Sequence, residues 1–208
     1  MHGASFTPFQ AQVARVFFGL PEARSFLLAG GLALAAHGLT DRPTEDLDAF
    51  TSRAGDVHAA YQAFAQAAIA HGWRVEVRQS TDTFVRLVVT GDESLLVDLA
   101  LDSAPGLPPT MSVLGPTFAI DELAARKLLA LFDRAMPRDF VDVYRLTRTL
   151  PAQRLIRLAE SLDPGLDKAV LALAMRQLDR YRDEDIPIKS SEVVSMRQFF
   201  QEWASELR

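Results

Sequence analysis

The hydrophobic period of this chain changes once, at Pro116. Upstream of it, runs of period two alternate with helical patterns. Downstream, every apolar run repeats at helical spacing. Period two buries one face of a strand and period 3.6 buries one stripe of a helix. The chain must therefore fold as α+β, with a mixed half followed by a bundle of helices. The boundary is placed so that 1–115 forms the α/β core and 116–208 the helical domain.

In the first half, Pro8 to Leu20 reads as a helix with Val13, Val16 and Phe17 on one face, closed by Pro21. Ser25 to Ala29 is a short apolar strand. Gly30-Gly31 breaks it, and Leu32 to His37 resumes as a short helix ending at Gly38. Asp46 to Phe50 alternates like a strand. Asp56 is a good N-cap for a helix running to His71, with Gly72 as its stop. Three strands follow, over Trp73 to Arg78, Thr83 to Thr90 and Leu95 to Leu101. Ser103 to Pro109 is a loop rich in Pro and Gly. Five helices are expected after Pro116, beginning near Asp121, Pro137, Pro151, Leu166 and Ser190.

Composition removes several functions. The chain has no cysteine, which excludes disulfides, zinc ribbons and thiol nucleophiles. MHGASFTPFQ lacks the basic and apolar regions of a signal peptide. The longest nearly apolar run, Phe26 to Leu39, has 14 residues, too few to span a bilayer. A cytoplasmic protein with no membrane partner is expected. The net charge of −5 argues against a protein coated in positive charge. It is uneven, however. Leu123 to Arg157 holds eight basic and three acidic residues, a local +5. Arg138, Arg145 and Arg148 in that stretch could face an RNA backbone.

The chemistry-bearing residues cluster around one motif. Asp46 and Asp48 are two apart on a strand, so they share a face. Two carboxylates there repel unless a cation lies between them, and Mg²⁺ takes oxygen ligands of this kind. Alone, such a pair is ordinary surface decoration. Gly30-Gly31, whose second glycine is 15 residues upstream of Asp46, changes the odds. Paired glycines between a strand and a helix let phosphate approach the backbone and its free N–H groups. The segment between them reads R-x-T-x-D-x-D from Arg42 through Thr44, and Arg42 is a candidate for nucleotide binding. Asp98 lies within the apolar run LLVDLAL, where an acid must be paired or bound to metal. It is the third candidate ligand. Lys127 and Arg134 are seven apart on one helix face and suit a triphosphate. Asp139 and Asp142 repel at i, i+3, and a buried pair of Asp139 with Lys127 is the functional reading of the first. His2, His37, His58 and His71 show no ligand spacing and read as structural; Trp73 and Trp203 read as core or interface.

The run GGLALAAHGLTDRPTEDLDAF, then VDL, then ELAARKLLALFDRAMPRDFVDVYRL, resembles the AbiEii family of nucleotidyltransferase toxins, which includes MenT-like toxins. The resemblance implies a minimal nucleotidyltransferase core of the polymerase-beta type with a C-terminal helical domain. It implies that Asp46 and Asp48 bind metal, that Lys127 contacts nucleotide and that Asp139 supports it. It implies Mg²⁺, with Mn²⁺ as the alternative ion. Family members transfer nucleotides from an NTP, and some modify the 3′ end of tRNA and arrest growth. A cognate antitoxin, including one with kinase activity, is the implied partner. Thr44 matches a position phosphorylated in some MenT-type toxins, and a phosphate there would repel triphosphate. Gly31 stands where the wider superfamily commonly has a Ser or Thr. Two other readings remain: nucleotidylation of a protein hydroxyl, and a degenerate nucleotide-binding module acting through a partner.

Overall fold

A computed structural model describes residues 6–207; His2 lies outside them. The chain divides into two compact units between Ala119 and Ile120.

The first unit begins with α1 (Pro8–Phe18), which Thr7 and Gln10 open by a reciprocal capping box. Then come β1 (Leu27–Ala29), α2 (Gly30–Ala36), β2 (Asp46–Thr51) and α3 (Asp56–Ala70). The strands β3 (Arg74–Thr81), β4 (Phe84–Thr90), β5 (Ser94–Leu101), β6 (Thr110–Met111) and β7 (Pro116–Thr117) complete the sheet. Its order is β3-β4-β5-β2-β1-β7-β6. β2 runs parallel to β5 and antiparallel to β1. β7 pairs with β1 through Leu28 and Thr117. That pairing keeps residues 116–119 with the sheet, a few positions past the boundary expected from periodicity. β6 and β7 are two residues each, too short to leave a periodic trace.

Alternation decides which side chains face the core. Leu47 and Ala49 of β2, Val85, Leu87 and Val89 of β4, and Leu95, Val97 and Leu99 of β5 are all buried. Phe9, Val13 and Phe17 of α1 and Val57, Ala60 and Phe64 of α3 are buried with them. The Phe17 ring meets Phe64 and Phe26 edge-on at 5.5 and 5.4 Å, a favoured aromatic geometry. The odd-numbered face of β2 is thereby fixed inward, and Asp46 and Asp48 share the opposite face.

Asp56 does not cap α3 as expected. It is the first helical residue, preceded by Gly55 at φ +91°. Its carboxylate instead accepts from Ser25 Oγ at 2.6 Å. Ser25 in turn accepts from Thr51 Oγ1 at 2.9 Å. A long-range partner has displaced the local cap.

The second unit contains α4 (Ile120–Arg134), α5 (Pro137–Leu146), α6 (Ala152–Leu162), α7 (Lys168–Arg176) and α8 (Ser190–Glu206). The expected helix from Leu166 to Tyr181 is shorter, because 177–180 tightens into a 3₁₀ turn. Phe140, Leu155, Leu171, Phe200 and Trp203 form part of its core. Ala135, at φ +47°, ends α4, and Tyr181 donates its hydroxyl to the Ala135 carbonyl at 3.0 Å. Among the described residues no helix is long and apolar enough to cross a membrane.

The basic stretch is largely spent inside this unit. Arg145 is buried and forks onto Glu192 at 2.6 and 2.9 Å. Arg148 reaches the same carboxylate. The expectation that Arg138, Arg145 and Arg148 face an RNA backbone is corrected for Arg145, which is buried and held by an acid of α8 47 residues away; Arg148 shares that acid from the surface. The Arg145 bonds, with Arg148 beside them, hold Glu192 down to about 2 against an ordinary 4.5. A depressed folded-state value stabilises above the unfolded value and is lost as pH falls through the folded one. Glu192→Gln is therefore expected to destabilise by about 3 kcal/mol near neutral pH, because Arg145 loses its counter-ion. The gap in unfolding midpoint between variant and wild type should narrow as pH falls from about 4.5 to about 2. A gap constant across that window in a thermal melt series would rule out the ion pair as its source.

Candidate active site

The sheet brings the acids into one cross-strand row. Ala29 of β1 faces Asp48 of β2, Asp48 faces Asp98 of β5, and Asp98 faces Arg86 of β4. Asp46 sits one step along the Asp48 face, opposite Leu96. Both acids of β2 are half-buried, and Asp98 is buried.

The two glycines make room for side chains. Gly30 has φ +66°, and a Cβ there would lie 1.9 Å from Asp48 Oδ2. A Cβ on Gly31 would lie 2.7 Å from Arg42 Nη2 and 3.1 Å from Thr44 Cγ2. The sequence assigned this space to an approaching phosphate. In the structure it is filled first by Asp48 and Arg42 of the D-x-D segment. Gly30 is the first residue of α2, so Asp48 lies at the positive end of that helix, where a carboxylate is favoured. Arg42 is buried and donates to the Pro43 carbonyl at 3.0 Å.

Thr44 precedes β2, which starts only at Asp46, so it does not lie on the strand with the acids. It is buried, its carbonyl accepts from Gln10 Nε2 at 2.6 Å, and its Oγ1 has no hydrogen-bond partner. Buried hydroxyls without partners are rare and call for a reason. The methyl of the same side chain lies toward Gly31, where the buried Arg42 guanidinium also ends.

Arg86 escaped the sequence reading. Its Nε and Nη2 donate to the two oxygens of Asp98 at 2.8 and 2.6 Å. This bidentate bond, with Asp48 and Asp46 beyond it, raises Arg86 above its ordinary value. The signal was available: Arg86 is the one charged residue within the strand FVRLVVT. Among the described residues, no three His, Asp or Glu side chains gather as a metal-binding set. The pair Asp46 and Asp48 still fits a hard divalent ion. Mg²⁺ is commonly held by one or two carboxylates, with substrate phosphates and water completing its shell. Recruiting Asp98 as a third ligand competes with the Arg86 fork.

Within the helical unit, α4 and α5 are joined by two ion pairs. Lys127 Nζ lies 2.9 Å from Asp142 Oδ2, with the lysine side chain 9% exposed and the acid fully buried. Arg134 forks onto Asp139 at 2.8 and 2.9 Å. Asp139 also accepts from the Met136 N–H at 3.3 Å, capping α5. The expected pairing of Asp139 with Lys127 is therefore corrected. Asp142 holds the lysine, because Asp139 sits in the first turn of α5 and folds back to the helix start.

The histidines serve structure. His37 Nε2 bonds Thr117 Oγ1 at 2.8 Å, and burial lowers its pKa. His71 Nδ1 lies 2.8 Å from the Ala67 carbonyl at the end of α3. His58 contacts Ser80 and Tyr61. Trp203 is core, and Trp73 packs on Phe9 at 5.3 Å.

Residues 15–207 match the family described as Nucleotidyl transferase AbiEii toxin, Type IV TA system. The chain belongs to the AbiEii nucleotidyltransferase toxin family. The resemblance carried by the glycine pair and the D-x-D strand is borne out over nearly the whole chain. No curated protein matches it in sequence. Its fold is shared by solved structures, among them the following two. MenT4, a nucleotidyltransferase toxin from Mycobacterium tuberculosis, is 18% identical with a TM-score of 0.63, over 96% of this chain and 90% of that one. JHP933 from Helicobacter pylori is 17% identical with a TM-score of 0.58, over 97% and 94%. At such identities the likeness speaks for the fold alone. The expected nucleotidyltransferase core with a helical C-terminal half is thus the architecture of this AbiEii protein.

Proposed function

We propose that this AbiEii protein transfers a nucleoside monophosphate from an NTP to the 3′ end of RNA, with tRNA as the acceptor, and so blocks translation and growth. The observation that carries the reading is the placement of Asp48. Its carboxylate rests on a glycine whose Cβ would occupy the same space, and Asp46 lies beside it on one strand face. Such close packing of an acid onto a left-handed glycine serves little purpose in a surface decoration.

In the proposed reaction, a ribose 3′-oxygen attacks the α-phosphate in line. The O–P bond to the acceptor forms as the P–O bond to pyrophosphate breaks, and the hydroxyl proton leaves to solvent. Asp46 and Asp48 are assigned the divalent ion, Mg²⁺ or Mn²⁺, which when bound neutralises phosphate charge and lowers the pKa of the attacking hydroxyl. Arg42 and the Gly30-Gly31 turn are assigned to phosphate oxygens. Lys127 is assigned nucleotide contact; its ammonium has three donors, so Asp142 leaves it donors to spare. Arg134 is assigned the triphosphate and Asp139 the support of Arg134.

The test uses purified protein with Mg²⁺, each labelled NTP in turn, total tRNA and cell lysate. Label is expected on RNA and absent with Asp48→Ala. Label on protein instead would move the acceptor to a protein hydroxyl, and no transfer with any nucleotide would leave only a binding module. A cognate antitoxin belongs to the same proposal. If it is a kinase acting on Thr44, that hydroxyl must first turn outward, since it is buried here. Thr44→Glu should then lose transfer and toxicity in the same assay; full activity would end the idea.

A further inference from the structure

The next residue along from Asp48 on its face of β2 is Phe50, about 7 Å further by strand rise. Phe50 borders a cavity of about 220 Å³ whose walls include Arg24, Arg53, Ser52, Ser103 and Phe118. Ligand pockets usually measure about 300–1,000 Å³. This one therefore takes a single base or ribose-phosphate, not a whole triphosphate. Its lining carries two arginines and no acid. Neither arginine is ion-paired among the described residues, whereas Arg86, Arg134, Arg145 and Arg148 are all held by carboxylates.

The chain fixes both arginines from behind. Thr51 Oγ1 donates to Ser25 Oγ, and Ser25 donates to Asp56, at 2.9 and 2.6 Å. Thr51 Oγ1 also accepts from the Arg53 N–H at 3.2 Å. This network ties the backbones on either side of the cavity, next to Arg24 and at Arg53. Two nearby acids are engaged with serines, Asp56 with Ser25 and Asp102 with Ser103. Two cations on a pinned frame and an aromatic ring form a surface for a phosphate-linked base.

We propose that this cavity binds the acceptor RNA one nucleotide back from its reacting end. Phe50 faces the base, and Arg24 and Arg53 hold the phosphates on either side. The spacing from Asp48 to Phe50 is comparable to one nucleotide of extended strand. The inference rests on the RNA 3′-end reading above and adds where the acceptor strand lies.

The test is binding of a fluorescently labelled short single-stranded RNA to the full chain, without NTP, across a salt series. Both arginines are exposed, so Arg24→Gln, Arg53→Gln and the double variant should melt like wild type. The double variant is expected to bind about tenfold more weakly. Its plot of log affinity against log salt should be shallower by about 1.4, or about 0.7 for each lost phosphate contact on a single strand. Phe50→Leu should weaken binding with no change of slope. Unchanged affinity and slope in a double variant that still labels RNA would overturn the cavity assignment and leave the RNA reading standing. If the wild type binds no RNA and labels none, both fall together.

Discussion

Gly30→Ala is expected to reduce nucleotidyl transfer by about 100-fold while leaving the protein folded. The two effects have separate causes. An alanine at φ +66° costs about 1–2 kcal/mol in the left-handed region. In a chain of this size that lowers the unfolding midpoint by several degrees. The new methyl would lie 1.9 Å from Asp48 Oδ2 and 2.9 Å from its Cγ. Asp has too short a side chain to move only its tip, so the carboxylate must rotate away. A displacement of about 1 Å at reacting groups can cost about 100-fold in rate. Gly31→Ala is the internal comparison. Its methyl meets the far end of Arg42 at 2.7 Å, and a long side chain can withdraw. Transfer should fall less and stability hardly at all. Equal losses in the two variants, measured by label transfer and thermal melts, would show that Asp48 position is not what Gly30 protects.

Asp142→Ala is expected to be the most destabilising single change in the helical unit, by about 3–5 kcal/mol, the usual result of leaving one buried charge without its partner. Lys127 would keep its ammonium in a site where its side chain is 9% exposed. The double variant Lys127→Met/Asp142→Leu removes both charges and keeps the volume, so stability should return to near wild type. Transfer should not return, because Lys127 is assigned nucleotide contact. Chemical denaturation reads the first effect and labelled-NTP transfer the second. Recovery of both in the double variant would reduce Lys127 to a structural residue.

The pair Asp139 and Asp142 shows where reading a sequence stops. Their spacing places them about 60° apart around α5, so both could plausibly face α4. Which one meets Lys127 depends on how the helix is rotated when it docks, and no local pattern encodes that rotation. Arg145 and Glu192 are a starker case, 47 positions apart in the chain. A charge count over Leu123 to Arg157 could not foresee that α8 would neutralise two of its arginines.

Asp98 is intermediate. Its position inside an apolar strand already demanded a partner, because an unpaired buried carboxylate is too costly. The choice between an ion and Arg86 needed the order β4-β5-β2, which sets Arg86 and Asp48 on either side of it.

The opening features of the sequence were decisive for different reasons. The period change at Pro116 follows from backbone geometry alone, so it separated sheet from helices with an error of only a few residues. The two-residue spacing placed Asp46 and Asp48 on one face for the same reason, and the glycine pair marked where something must come close. Tertiary structure decided what that something is. Gly30 faces Asp48, Gly31 faces Arg42, Asp98 goes to Arg86 and Lys127 to Asp142. Periods are properties of one strand or helix, whereas partners are set by which elements adjoin and in what register. The acids of this AbiEii protein were therefore legible from its sequence, and the cations that hold them in place were not.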